Sequence, residues 1–69
     1  MKVEEFVSKV EDLGYFTSVL GKFVTIYEDE AHTKFVGETR FIYQTALVKD
    51  DLELLNLMYG YISTPCDER

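Results

Sequence analysis

The stretch YFTSVLGKFVTIY, from Tyr15 to Tyr27, decides how this chain is read. Aromatic and β-branched side chains crowd both sides of a single break, Leu20-Gly21-Lys22, whose glycine is free to take a positive φ. Two strands joined by a turn fit that pattern. Alternation along the second run puts Phe23, Thr25 and Tyr27 on one side and Val24 and Ile26 on the other. The compact β-branched pair is expected beneath the helices.

Downstream, Glu28, Asp29, Glu30, Ala31 and His32 make a polar break suited to a hairpin loop of four or five residues. A third strand is expected from Thr33 to Thr39, with Phe35 and Gly37 on one face and Val36 and Glu38 on the other. Its glycine suggests a bulge or close packing against a neighbouring side chain. Phe41, Ile42, Tyr43 and Gln44 continue as extended chain and are a candidate short fourth strand.

Upstream, Val3, Phe6, Val7, Val10 and Leu13 share one helical stripe, so the spacing predicts a helix over Lys2 to Leu13 stopped by Gly14. Glu4 and Glu5 suit the positive end of that helix, and Lys9 follows Glu5 at the spacing of an ion pair. A second helix is expected to begin near Asp50, with Asp50 as cap and Glu53 as its reciprocal partner, and to end at Ser63 and Thr64 before Pro65. It is apolar on most of its circumference: Leu52, Leu54, Leu55, Leu57, Met58, Tyr59, Tyr61 and Ile62 leave only a narrow stripe of Glu53, Asn56, Gly60 and Ser63. Such a helix is normally buried on more than one side. Leu55, Met58 and Ile62 are expected to meet the core, leaving Leu54, Leu57 and Tyr61 for self-association into a homo-oligomer. Residues 64–69 are expected to form a short polar tail.

The expected architecture is therefore α+β: an N-terminal helix, an antiparallel sheet of three strands, or four if Phe41 to Gln44 join it, and a C-terminal helix, with both helices on one sheet face. Sixty-nine residues hold one such domain. One cysteine excludes an internal disulfide, and one histidine with one cysteine excludes a four-ligand nitrogen and sulfur zinc cage. The formal charge of -6 repels phosphates, which argues against direct nucleic-acid binding. No apolar run approaches the ~20 residues that span a bilayer, and a lone thiol fits a reducing compartment, so no membrane is expected and the cytoplasm is.

Neither catalysis nor a cofactor is indicated. Cys66 has no base fixed beside it in sequence, and His32 falls in a predicted loop. Glu28, Asp29 and Glu30 with His32 lack the glycine and terminal glutamate of a calcium loop and read as a solvated turn. Glu11 with Asp12 and Asp50 with Asp51 lie at helix ends, where capping and dipole effects explain them. Gly14, Gly21, Gly37 and Gly60 make no phosphate-cradling loop. The five phenylalanines and five tyrosines could stack nucleic-acid bases, but in so small a chain they are expected to be core, the tyrosines at its edge or in an interface.

Three stretches carry a resemblance: GKFVTIY from Gly21 to Tyr27 before the acidic turn, the basic and aromatic run from Glu38 to Thr45, and Leu54 to Arg69 with its Leu-Leu-Asn-Leu, paired tyrosines, Ser-Thr-Pro and closing Asp-Glu-Arg. In these the chain resembles small, mostly uncharacterised proteins of bacteriophages and prophages of lactic acid bacteria and related Gram-positive hosts. The resemblance implies a phage accessory protein in the host cytoplasm and brings no catalytic residues. In that setting the expectation is a non-enzymatic protein that binds a host or phage protein through a basic surface on the partner, inhibiting a host factor, with Glu28, Asp29 and Glu30 as part of the contact. The alternative is a minor structural or assembly component of the particle.

Overall fold

The structure, a computed structural model, describes residues 1–40 and 45–69. Helix α1 spans Val3–Asp12, strands β1, β2, β3 and β4 span Phe16–Leu20, Phe23–Tyr27, Phe35–Thr39 and Thr45–Leu47, and helix α2 spans Leu52–Ile62 before a 3-10 turn at Cys66–Glu68. The strands form one antiparallel sheet in the order β1-β2-β3-β4. The architecture is α+β in the order that the sequence predicts. Phe41 to Gln44 lie outside the described residues, and the fourth strand seen is Thr45–Leu47.

Each join has a local cause. Gly14, at φ 95, and Gly21, at φ 64, supply the left-handed backbone that ends α1 and turns β1 into β2. Only two residues separate Leu20 from its partner Phe23, and the positive φ at the first of them marks a type II′ hairpin. Helix α2 is capped by Asp51 and not by Asp50, since the Asp51 carboxylate accepts the Leu54 backbone N–H at 3.1 Å. Glu53 is therefore one residue short of the position opposite its cap.

Val24 and Ile26 are fully buried and pack with Phe6, Val10, Leu54, Met58 and Tyr61, which places both helices over the face bearing the β-branched pair. At β3 the expected alternation fails. Ile26 faces Gly37 and Tyr27 faces Phe35, so Val36 is an extra, bulged residue. The bulge turns Val36 into the core, 2% exposed, while Glu38 remains partly exposed. Close packing explains the glycine as well: a Cβ at position 37 would lie 2.6 Å from the Ala46 carbonyl oxygen and 3.3 Å from Met58 Cε.

The end of the chain corrects a second expectation. Residues 64–69 do not trail as a polar tail, because Arg69 is 5% exposed and lies with its guanidinium over the Tyr61 ring. Its three nitrogens donate to the carbonyls of Thr64, Arg40 and Ile62, each at 2.8 Å. The Ile62 carbonyl belongs to the last turn of α2, where the helix leaves acceptors unpaired, and that of Thr64 follows just past the cap, so one cation meets a need that a helix terminus always creates.

Candidate interaction surface

With both helices on one face, the other face of the sheet is uncovered among the described residues. The register aligns Phe16, Tyr27 and Phe35 in a row across β1, β2 and β3. His32 extends the row, stacked on Tyr27 at 4.5 Å with the rings 10° apart, while Phe35 meets the Tyr27 ring edge-on at 6.5 Å. At the other end of the strands Leu20 stands opposite Phe23. Exposures of 37% for Phe16, 43% for Phe35 and 79% for Leu20 make this an apolar surface open to contact, with Tyr27 and Phe23 half-buried among them. Its middle is polar: Ser18, Thr25 and Glu38 lie across the same three strands, and Glu38 is paired with Arg40 at 3.6 Å.

The expectation that the phenylalanines are core is thus corrected, while Tyr27, half-buried, keeps the edge position expected of the tyrosines. Among the described residues only Phe6, Tyr15 and Tyr61 are buried. Tyr61, expected at an edge or interface, is fully enclosed, stacked on Phe6 at 4.4 Å, with its hydroxyl donating to the Lys22 carbonyl at 2.7 Å. Burial raises its pKa.

The acidic loop is built from its own carboxylates. Asp29 accepts the backbone N–H groups of Thr33 and Lys34, at 2.9 and 2.8 Å, and the Thr33 hydroxyl. The hydroxyl, first, and then these amides hold its carboxyl below its ordinary range. Thr33 and Lys34 are consumed in this turn, which is why β3 starts at Phe35 and the loop is longer than four or five residues. His32 takes φ 59 within it. Glu28 is ion-paired with Lys49. Of the three acids singled out in sequence, Glu30 alone has no side-chain partner among the described residues; it sits in the turn that the His32 N–H closes on the Asp29 carbonyl at 3.2 Å.

On α2, Leu54 and Tyr61 are fully buried and belong to the core, so they are not available to a second subunit. The helix is rotated from its expected setting: Leu54, Met58, Tyr61 and Ile62 face inward, and Leu55 is half-buried. Leu57, also half-buried, lines a groove of about 440 Å³ between the two helices with Met1 and Leu13. Leu52 and Tyr59 are the exposed apolar residues.

The helix layer is tied to the sheet at one corner. The Tyr15 hydroxyl, just ahead of β1, donates to Asp51 at the start of α2, and Lys49 lies 5.1 Å from the Tyr15 ring centre. The hydrogen bond from Tyr15, then the Leu54 amide, lowers the Asp51 pKa, while burial, then the bond to Asp51, raises that of Tyr15. Lys49 is raised by its bonds to Glu28 and to Tyr15. Capping and anchoring account for these shifts without any reacting group.

Cys66 is exposed, and His32 is spent on the aromatic row. Among the described residues no three His, Cys, Asp or Glu side chains converge where a metal ion could sit, and no helix is long and apolar enough to cross a membrane. No protein-family model, curated protein or solved structure matches the chain.

Proposed function

We propose that this protein is a non-catalytic binding module that docks another protein on the uncovered face of its sheet, in the setting of a phage accessory protein acting in its host's cytoplasm. The observation that carries the reading is the row Phe16, Tyr27, Phe35 with the flanking Leu20, an apolar surface on the opposite side of the sheet from the core. Aromatic residues supply large contact area at small entropic cost, and they are enriched in the cores of protein interfaces. A protein suits this face better than single-stranded nucleic acid. The net charge of -6 opposes phosphate approach, and the one arginine on the face is already paired with Glu38.

The acidic loop takes a smaller part in this reading than its sequence suggests, because Asp29 and Glu28 are engaged within the fold. The test compares captured proteins when tagged variants are used as bait in host lysate. Phe16→Ser with Phe35→Ser should abolish a specific capture while leaving the circular dichroism spectrum unchanged, and Glu30→Lys should change it only slightly. Capture that survives the double substitution but is lost with Glu30→Lys would return the contact to the loop.

A further inference from the structure

Strand β1 ends the sheet, and its outer edge pairs with no strand among the described residues. Edge strands are usually protected by a lysine, a proline, a bulge or a short length. Phe16–Leu20, reading FTSVL, has none of these: it is five residues long, uncharged, and paired to β2 without a register shift. The opposite edge, β4, is only three residues long.

The hairpin fixes which backbone groups face outward. Leu20 and Phe23 close a two-residue turn and so exchange hydrogen bonds, as do the alternate pairs Ser18 with Thr25 and Phe16 with Tyr27. The N–H and C=O groups of Thr17 and Val19 therefore point away from the sheet. The same two residues face Ile26 and Val24 across the ladder, so a strand added here would turn the side chains opposite them toward the helix layer.

A groove waits there. Between α1 and β1 lies a depression of about 440 Å³ whose apolar wall is Val3, Val7 and Val19. Val19 is 46% exposed. Glu4 and Glu11 border the groove, and neither has a partner cation among the described residues. These two positions are seven residues apart, about 10 Å along a helix. Residues i and i+4 of an extended strand are about 13 Å apart, within the reach of two long side chains converging on such a pair.

We propose that β1 accepts an extended segment of a basic partner as a fifth strand, with an apolar side chain in the Val3, Val7 and Val19 groove and Lys or Arg two residues to either side, paired with Glu4 and Glu11. The sequence it fits is Lys-x-Ile-x-Lys. Main-chain hydrogen bonds to Thr17 and Val19 supply the affinity, and the groove and its acids supply the selection. A second copy fits less well. Antiparallel pairing of β1 with itself would bring two α1 flanks together, with Glu4 and Glu11 of both and no cation between them.

This inference rests on the reading of the protein as a binding module but uses a different surface from the aromatic row. The probe is a blocked, fluorescein-labelled eleven-residue peptide centred on Lys-Thr-Ile-Thr-Lys, measured by fluorescence polarisation against an otherwise identical peptide with Glu in place of both Lys. The Lys peptide should bind at least tenfold more tightly, lose affinity as salt is raised, and shift amide resonances of β1 and α1. Glu4→Lys with Glu11→Lys should reverse the preference, and Val19→Lys should abolish binding of both. N-methylation of the peptide should abolish binding at alternate residues only. Equal binding of the two peptides, shifts centred on the Phe16, Tyr27, Phe35 row, or sedimentation showing a dimer that Val19→Lys dissociates would each overturn the proposal. Should neither peptide bind while Phe16→Ser with Phe35→Ser still abolishes capture, the edge is not the site and the binding-module reading stands.

Discussion

The two faces of the sheet are both apolar, but they are built from different residues. The covered face presents Val24, Ile26, Val36, Gly37 and Thr39, and the open face presents Phe16, Leu20, Phe23, Tyr27 and Phe35. The larger side chains are outside. A helix can lie close to a sheet only where the intervening side chains are compact, and at Gly37 they vanish altogether so that Met58 can approach. On the open face no helix has to fit, so bulk there costs the core nothing and leaves contact area free. The comparison separates residues that hold the fold from residues available to a partner, and substitutions on the two faces should behave accordingly.

Ile26→Ala should have the largest effect. Ile26 is fully buried beneath both helices, and removing three carbons from a packed site costs about 2–4 kcal/mol, from lost transfer energy and the cavity left behind. A domain of this length has only about 3–10 kcal/mol of stability, so a large share is at stake. Urea denaturation should place its midpoint well below those of the parent and of Phe35→Ala. If Phe35→Ala costs as much as Ile26→Ala, the open face is packed like a core and the distinction fails.

Alternation along Phe23 to Tyr27 was enough to identify the covered face, because a period of two on a strand with helices on one side allows two assignments and the β-branched pair favours one. The same alternation, carried one step further, leaves Phe23 and Tyr27 uncovered. Ten aromatics in a small chain invite the inference that they serve the core and its edge, and that inference hid the surface. The Val36 bulge could be anticipated from Gly37 but not its direction, since a bulge changes which residues share a face and depends on the partner strand. The rotation of α2 was not legible because an almost uniformly apolar helix offers little contrast from which to orient it. Arg69 gave no signal in sequence, since its charge alone does not show that it folds back on the Ile62 and Thr64 carbonyls or reaches that of Arg40, 29 residues away.

The corner that holds the helix layer to the sheet should respond less strongly than the core and in a pH-dependent way. Asp51 caps α2 and accepts the Tyr15 hydroxyl, so Asp51→Ala should cost about 1 kcal/mol at neutral pH, the usual value of a lost cap. The folded carboxyl has a pKa below its ordinary 3.8, so near that pH the unfolded chain binds more protons than the folded one. The stability this group contributes is complete above the unfolded value and declines as pH falls from there through the folded value. Asp51→Asn keeps a capping oxygen but cannot titrate. Its loss of stability between pH 5 and pH 2, measured by thermal unfolding, should therefore be shallower than the parent's, with Asp29 still contributing in the same direction. An identical slope would mean that the corner bears no linkage.

Leu20→Ser should have the smallest effect on the fold, and it tests the open face most directly. The side chain is 79% exposed at the end of β1, so folding withdraws little of it from water, and an unfolded chain with some residual compactness would withdraw part of that already. The expected change is within about 0.5 kcal/mol, the range of surface substitutions away from caps and cores, or a shift of at most about 4 °C in thermal midpoint for a domain of this size. Serine leaves the Gly21 turn intact and makes the β1 backbone no less able to pair. Capture of a partner on the sheet face should nonetheless weaken, because an exposed leucine beside Phe23 gains its full transfer energy only when that partner covers it. A stability loss above 1 kcal/mol would show Leu20 to be packed in the folded protein, and the face would then be a second core layer instead of a free surface. Unchanged stability with unchanged capture would confine the contact to the Phe16, Tyr27, Phe35 row.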